Sequence, residues 1–487
     1  MTKMVDPLTG AMPIVSQPVE DITVQVGQMA PGGHCVAQHD GRAVFVRHAI
    51  PGETVVAKLT GEGPSGRFLL ADTIEVLTAS DFRRAHHWKL AESPRAYAAG
   101  RPPIAGAEFG HIVLEYQRRL KAKVFRDAMV TLAGKQPEDM DITVNGMEGD
   151  GSAGLRWRTR NAFVVSADGR LSMPVHGSLE RIPVRNVPLA VAELDALELW
   201  DYDFTGAASV IVSTPTHGRE ALISITPEPH IIASEDALKQ HIALWRRELA
   251  DLPEHVSVVE VKPSPQAGIK LDVVPLQGRN WVSEDVASET YGTHHFRVSS
   301  QRTWPVHQDA PVTLVDAVMA AAAVEPGHKV LDLYAGAGLY SRFLADAVGS
   351  YGSLVAIEPG PVASLDAKHN LQGVSQATVV HKDVNPGLDD WLGIPADSPL
   401  SGVFSGGPVD TVVLNTPAQG AQSATLSRID RLQPDKLVYI SSHTPSLARD
   451  TRWLEENGWT LDSVDAYDLA PNTQQMHAVC VFTKTAA

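Results

Sequence analysis

The stretch VLDLYAGAGLYSRFLA, at positions 330–345, constrains the fold of this chain more than any other segment. An apolar strand that contains Asp332 runs into a turn with Gly336 and Gly338, and a helical pattern follows. Glycine lets the chain turn tightly and brings backbone N–H groups close to a ligand. The segment therefore predicts a strand, loop and helix that bind a nucleotide in an α/β domain.

Strand and helix patterns alternate through the rest of the C-terminal part. Further apolar strands are predicted at SLVAIEPG, ATVVHKDV, VDTVVLNTP, KLVYISSH and HAVCVFTK. Helices are predicted at PVASLDAKHNLQG and at RDTRWLEENGW. Repeated βα units are typical of a Rossmann-like, doubly wound and mostly parallel sheet, which we expect over residues 291–487.

Carboxylates end successive strands of this predicted sheet. Glu358 lies twenty residues beyond Gly338, where it can accept hydrogen bonds from both ribose hydroxyls, and Asp383 can receive an adenine amino group. The third glycine of a dinucleotide fingerprint would fall at Ser341. Together with Asp332, this ordered set favours S-adenosylmethionine as the ligand. The alternatives are NAD and a pocket that is retained without a ligand.

The part of the chain before residue 291 has a different character. Residues 1–18 contain no apolar core of signal-peptide type and are expected to form a flexible tail. Short alternating apolar runs over 19–80, divided by turns such as PGGH, predict a small OB-like β-barrel. Over 81–290 the amphipathic helix IVLEYQRRLKAKVFRDAMVTLAGK and a hairpin around ADG predict an α+β central domain.

Charge and composition limit the partners. The net charge of −16 argues against indiscriminate nucleic-acid binding. Between Arg83 and Arg126, however, ten Lys and Arg residues face only three glutamates, so we expect a basic face on the central domain that binds RNA; a solvated helix face is the alternative. Two cysteines, far apart in the chain, predict a reducing, cytoplasmic environment and no metal site. No long apolar run is present, so no membrane span is expected. The protein is expected to be a monomer.

The stretch LVYISSHTPSLARD, at 437–450, has the pattern of a strand, a polar turn and a helix, a layout on which enzymes can mount a nucleophile. Ser442 could form a Ser–His pair with His443 or His477, although the sequence shows no orienting carboxylate. The favoured interpretation is that Ser442 is a helix N-cap or a turn residue.

Several motifs together resemble one family, the class I S-adenosylmethionine-dependent RNA uracil-C5 methyltransferases with an N-terminal TRAM domain. APGGHCVAQHDGRAVFVRHAIPGETV is similar to the TRAM signature, RWRTRNAF to the central domain, and VLDLYAGAGLYS to motif I. YISSHTPSLARD resembles the family's Y-V-S-C-N-P-x-T-L-A-R-D. The resemblance covers nearly the whole chain. It implies S-adenosylmethionine contacts at Asp332, Tyr334, Gly336, Gly338, Leu339, Glu358 and Asp383.

The chain departs from this family where catalysis takes place. Ser442 stands at the place of the catalytic cysteine, whose thiolate adds to uracil C6; a serine there needs a dedicated base. In NTPAQG, Asn415 replaces the aspartate and Ala418 the arginine of D-P-P-R-x-G. His477 replaces the glutamate that removes the C5 proton. Pro305 replaces a glutamine that contacts the cofactor.

These departures lead to the expectation of an S-adenosylmethionine-dependent RNA methyltransferase-like protein whose catalysis is altered or lost, with rRNA or tRNA as the substrate. Gln475, at the place of a family histidine, adds to them. The family's frequent iron–sulfur cysteine cluster has no counterpart, so no cluster is expected. The alternatives are a non-enzymatic RNA-binding or scaffold protein, and methyl transfer to an N or O atom without a covalent adduct.

Overall fold

A computed structural model describes residues 21–175, 178–215, 220–264, 271–300, 304–393 and 408–484. The predicted tail, 1–18, lies outside these ranges. Within them, no helix combines the length and the apolar character needed to cross a lipid bilayer.

The N-terminal part forms a six-stranded sheet in the order β1-β5-β6-β4-β3-β2. Its strands are β1 Asp21–Gln25, β2 Met29–Ala30, β3 His34–His39, β4 Arg42–Arg47, β5 Thr54–Glu62 and β6 Phe68–Thr78. Successive residues of a strand point to opposite faces, so Val44 and Val46 of β4, two residues apart, both reach one apolar core. The prediction of an N-terminal β domain is confirmed, and its assignment as a TRAM domain stays a prediction.

The middle part packs helices on a seven-stranded sheet in the order β10-β9-β8-β11-β12-β13-β14. Its strands are β8 Arg160–Val165, β9 Leu171–Pro174, β10 Arg181–Pro183, β11 Ala207–Ser213, β12 Ala221–Pro227, β13 Val256–Pro263 and β14 Leu271–Gln277, and a short strand, β7 Val144–Asn145, precedes them. Its helices are α1 Ser93–Ala98, α2 Leu114–Ala128, α3 Ala192–Asp195, α4 Pro229–Ile232 and α5 Glu235–Glu248. The predicted α+β character and the β8–β9 hairpin are confirmed.

The C-terminal part begins with the hairpin β15 Trp281–Ser288 and β16 Gly292–Ser299. An eight-stranded sheet follows in the order β19-β18-β17-β20-β21-β23-β22-β7. Its strands and helices are α6 Ala310–Ala322, β17 Lys329–Leu333, α7 Leu339–Val348, β18 Ser353–Glu358, α8 Pro361–Asn370, β19 Ala377–His381, α9 Val384–Gly393, β20 Thr411–Asn415, α10 Gln422–Leu432, β21 Lys436–Ser441, α11 Thr444–Glu456, β22 Trp459–Tyr467 and β23 His477–Lys484. Strands β17 to β21 run parallel, which confirms the Rossmann-like fold.

Several elements of the C-terminal part were not predicted. The helix predicted at RDTRWLEENGW ends at Glu456, and Gly458, with φ of 79°, turns the chain into β22. β22 escaped prediction because its half-exposed surface interrupts the alternation of apolar residues. Strand β7, from the middle of the chain, extends this sheet parallel to β22. The domain boundaries at 80/81 and 290/291 remain predictions. The second falls in the turn of the β15–β16 hairpin, and β7, which precedes it in the chain, pairs with a strand that follows it.

Candidate active site

The carboxyl ends of the parallel strands meet at one edge of the C-terminal sheet, where open α/β sheets bind ligands. Asp332 lies in β17, fully buried. Ser341 of α7 donates its hydroxyl hydrogen to Asp332 Oδ2. Ser341 stands where a dinucleotide fingerprint would have its third glycine, and here it holds the Asp332 carboxylate in place. Oδ1 has no hydrogen-bond partner in the described part of the chain. Burial raises the pKa of the Asp332 carboxyl to about 7.

The loop after β17 and the end of β18 are tied together by Glu358. Its Oε2 accepts a hydrogen bond from Gly336 N (2.8 Å), and its Oε1 accepts one from Gly360 N (2.6 Å). Gly336 has φ of 60°, a left-handed conformation, and a Cβ built there would meet nothing within 4 Å. Tyr334, also left-handed, donates its N–H to the carbonyl of Ile357 (2.9 Å). The loop thus leaves open space beside a fixed carboxylate.

The remaining predicted contacts lie around this loop. Gly338 is the left-handed N-cap of α7, and Leu339 is the buried first residue of that helix. Asp383 lies two residues beyond the end of β19 and is exposed. Sequence reasoning missed Asn370, at the end of α8, whose Nδ2 donates to the carbonyl of Ala337 (2.8 Å). Asn370 therefore holds the glycine loop from the side of α8.

A cleft of about 140 Å³ opens where the N-terminal sheet, helix α2 and the C-terminal sheet meet. We call it the seam cleft. It is lined by Met29, Ala30, Pro31, Gly32, Gly33, Phe109, Lys121, Val124, Ser442, His443, Thr444, Pro445, Gln474, Gln475 and Met476. Ser442 follows β21 and is exposed, as is Gln475. The predicted nucleophile position thus faces a cavity built from distant parts of the chain.

The turn after β21 decides between the two alternatives for Ser442, a helix N-cap or a turn residue. His443, not Ser442, is the N-cap of α11, and its Nδ1 accepts a hydrogen bond from Ser446 N (3.3 Å). Ser446 Oγ donates to the carbonyl of Ala418 (2.8 Å), which joins this turn to the turn after β20. Within the described ranges, no hydrogen bond joins Ser442 to His443 or His477. Ser442 is therefore a turn residue without a base in hydrogen-bond contact.

Two further substituted positions, His477 and Asn415, are not among the residues that line the cleft. His477 begins β23 and is partly buried, and Asn415 ends β20 and is also partly buried. Burial, and secondarily the positive charge of Lys121, lowers the pKa of His477 to about 4. Its imidazole is therefore neutral near pH 7. Pro305 lines a separate small cavity beside Glu284.

Several cations of the predicted basic face turn inward, which corrects that prediction in part; Arg83, for example, lies 2.6 Å from the buried Glu53. Lys121 Nζ lies 2.5 Å from Asp468 Oδ1, and both side chains are almost fully buried. Arg118 lies 2.6 Å from Asp150 and 3.5 Å from Asp468. Lys121 is buried because its apolar-side neighbours on α2 pack against the C-terminal part. The ion pairs of Lys121 and Arg118 fix α2 to the loop after β22 and are not available to RNA.

Comparisons with known proteins agree with this architecture. An uncharacterised RNA methyltransferase of Streptomyces avermitilis is 33% identical over 473 residues, which covers 96% of this chain and 99% of that protein. The 23S rRNA (uracil(1939)-C(5))-methyltransferase RlmD of Shewanella baltica is 25% identical over 482 residues, 95% of this chain and 96% of that protein. No family model matches the chain.

The fold is also that of a solved structure. The Pyrococcus abyssi tRNA (uracil-54, C5)-methyltransferase, in complex with S-adenosyl-L-homocysteine, superposes with a TM-score of 0.65 at 15% identity and covers 95% of this chain and 100% of that chain. At that identity, the superposition establishes the fold. The identity and coverage shared with the Streptomyces avermitilis protein show the family: this chain belongs to the RNA methyltransferases.

Proposed function

We propose that this protein binds S-adenosylmethionine at the glycine loop and an RNA base in the seam cleft, and that it lacks the covalent route to uracil C5. One observation supports the lack of the covalent route. The sequence has only two cysteines, Cys35 and Cys480, and both are fully buried in strands β3 and β23. Burial raises the pKa of both thiols. No thiolate can therefore reach a base in the cleft.

The residues at the glycine loop fit the cofactor. The open space beside Gly336 admits a ligand, and Glu358 is held where it can accept ribose hydroxyls. Asp332 keeps one buried oxygen without a hydrogen-bond partner, which can accept an ammonium hydrogen. S-adenosylmethionine supplies an activated methyl group when it is bound. The Pyrococcus abyssi enzyme, with the same fold, was solved with the demethylated product, which supports the same ligand class here.

The side chains around Ser442 do not supply what a serine nucleophile needs. A hydroxyl must lose its proton to a base as it attacks, and a positioned base contributes roughly 10²- to 10⁴-fold to the rate. His443 uses Nδ1 to cap α11, and burial lowers its pKa, as it does that of His477. Weakly basic imidazoles without contact to the hydroxyl cannot activate Ser442. RNA binding without an adduct, or transfer to a more nucleophilic atom, is therefore favoured.

Two measurements test the proposal. Calorimetry with S-adenosylmethionine should show binding that weakens roughly 10- to 150-fold in Glu358→Ala, since hydrogen bonds to a charged group contribute about 1.5–3 kcal/mol. Glu289→Ala, at the exposed turn of the β15–β16 hairpin, is the matched control and should bind normally. Absence of binding by the native chain at millimolar cofactor would refute the cofactor assignment.

The second measurement uses RNA containing 5-fluorouridine, which traps a covalent bond to C6, together with tritiated-methyl transfer to total RNA. We expect no slower-migrating band on a denaturing gel. Ser442→Cys should not create one, because Asn415, Ala418 and His477 remain. A band that appears with the native chain and disappears in Ser442→Ala would show that serine has become the nucleophile, and the proposal would be wrong.

A further inference from the structure

Helix α2 has two faces with opposite environments, and the outer face suggests how RNA reaches the seam cleft. Gln117, Lys121 and Phe125 lie on the buried face. Arg119, Lys123 and Arg126 lie on the outer face, at spacings of four and three residues that put them in one stripe. We propose that this stripe, with the aromatic pair Phe82 and Tyr116 at its end, is a track for single-stranded RNA. The proposal rests on RNA being the substrate.

The three cations open into a groove of about 830 Å³, which we call the α2 groove. Its other lining residues are Gln28, Ala122, Asp127, Val130, Thr131, Pro137, Met140, Asp141 and Ile142. At a rise of 1.5 Å per residue, Arg119 and Arg126 lie roughly 10 Å apart along the helix axis. That length suits the phosphates of a few nucleotides of an extended strand.

The ion pairs of the stripe do not compete strongly with phosphate. Arg119 pairs with Glu115, and Lys123 pairs with Asp127 (2.6 Å), one helical turn away in each case. Both pairs are well exposed, and exposed pairs of this kind contribute little. Asp127 and Asp141 nevertheless reduce the positive charge of the groove. Electrostatics alone would therefore bind a short RNA weakly, and a second source of affinity is needed.

The aromatic pair supplies that second source. The rings of Phe82 and Tyr116 stack with centroids 3.9 Å apart and an angle of 8° between their planes. Phe82 is 36% exposed, while Tyr116 packs against the N-terminal core. Val113 N donates to the carbonyl of Phe82 (2.9 Å) and so holds the loop that carries this ring at the start of α2. A nucleobase can extend the stack, since bases stack on aromatic side chains in single-stranded complexes.

The track leads to the seam cleft. Lys123 Nζ contacts Gln28 Oε1 (3.0 Å), and Gln28 lines the α2 groove. The next residue, Met29, lines the seam cleft, as does Val124, the residue after Lys123. Consecutive residues of each element thus line the two cavities. A strand held along α2 can turn a single base into the cleft beside Ser442.

The test measures binding of a fluorescein-labelled uridine 12-mer and of a 12-base-pair RNA duplex by fluorescence anisotropy at several salt concentrations. The variant Arg119→Ala/Lys123→Ala/Arg126→Ala should bind the 12-mer weakly, with a slope of log affinity against log salt reduced by roughly 2, because single strands give about 0.7 per phosphate contact. The matched control Lys239→Ala/Arg246→Ala/Arg247→Ala removes three exposed cations of α5, one of them also in an i,i+4 pair. It should bind as the native chain does.

Phe82→Ala should weaken 12-mer binding roughly 5- to 150-fold, and Phe82→Tyr should retain it. A 2-aminopurine 12-mer should lose fluorescence on binding to the native chain and less on binding to Phe82→Ala. Each variant is checked for native S-adenosylmethionine binding, which separates loss of the track from loss of folding. Native-like RNA binding and salt slope in the α2 variant, or tighter binding of the duplex than of the 12-mer, would overturn the track while leaving the proposed function intact. If the native chain binds no RNA, both fail.

Discussion

Asp468→Asn should destabilise the protein strongly, because Asp468 is the buried anion on which Lys121 depends. The exposed fractions of the two side chains are 1% for Lys121 and 0% for Asp468, and their charged atoms lie 2.5 Å apart. Removal of one partner of a buried pair leaves an uncompensated charge and costs about 3–5 kcal/mol. Arg118 also loses its 3.5 Å contact with Asp468 but keeps Asp150. We therefore expect a loss at the middle or upper end of that range.

The assay is urea unfolding followed by tryptophan fluorescence, with thermal unfolding in parallel. At about 2–4 °C per kcal/mol for domains of 150–250 residues, a loss of about 4–5 kcal/mol should lower the melting temperature by roughly 8–20 °C. The control is Asp127→Asn, which removes the anion of the exposed pair with Lys123, whose side chains are 42% and 43% exposed. Such pairs contribute about 0–1 kcal/mol, so Asp127→Asn should change the free energy of unfolding little. Equal losses in the two variants would refute the reasoning.

The pH dependence of the stability loss in Asp468→Asn gives an independent check. Burial lowers the pKa of Lys121, and the loss of Asp468 removes the main influence that raises it again. In Asp468→Asn, the unfolded state therefore binds more protons than the folded state up to about pH 10.4, so the stability of the variant should rise with pH. A deficit that is equal at pH 7 and pH 9 would show that Lys121 keeps its proton in the folded variant over this range, which would contradict a strongly lowered pKa. Lys121→Met/Asp468→Leu should recover most of the loss, since apolar replacement of a buried pair is often neutral.

Three further outcomes follow from the structure. His443→Ala should cost about 0.5–2 kcal/mol through loss of the α11 N-cap, and His443→Asn should recover most of it in thermal unfolding. The pKa values of His34, His86 and His477 are lowered to about 4, so the unfolded state takes up protons first and stability should fall from about pH 6.5 towards pH 4; a flat urea-unfolding profile over this window would contradict these values. Because burial raises the pKa of Asp332 to about 7, binding of S-adenosylmethionine at pH 6 should release a proton if its ammonium meets this carboxylate, and calorimetry in two buffers of different ionisation enthalpy should detect it.

The nucleotide-binding edge was predictable because its parts are local. The glycine turn, its strand and its helix lie within sixteen residues, and Glu358 ends the next strand, so sequence order alone predicts their meeting. Ser341 was noted only as a missing glycine, although a hydroxyl one turn into α7 can reach back to Asp332, as it does. That these residues contact a ligand remains a prediction, whereas their positions relative to one another are seen in the structure.

The seam cleft and the buried ion pairs were beyond sequence reasoning because their parts are far apart in the chain. Lys121 and Asp468 are 347 residues apart, and no local pattern joins them. A signal for the burial of Lys121 did exist: Gln117, Lys121, Phe125 and Ala128 follow one helical stripe. The two polar residues at its start concealed the stripe, and Lys121 was counted among the cations of a basic face. Likewise, β7 is too short for any periodicity.

The positive charge near His477 bears on how the substitutions at the nucleophile position, Ser442, and at the base position, His477, combine. Lys121 is close enough to lower the pKa of His477, so its ammonium opposes a positive charge at this position and would favour a carboxylate. The glutamate that the resemblance implies here would thus be kept ionised, whereas the histidine is kept neutral, so the exchange changes the charge at this position. The hydroxyl of Ser442 needs a stronger base than a thiol does, and the structure shows none in hydrogen-bond contact with it among the described residues. Under the proposed function, the nucleophile and the base serve different steps, so we expect that restoring either residue alone leaves the other step without its group.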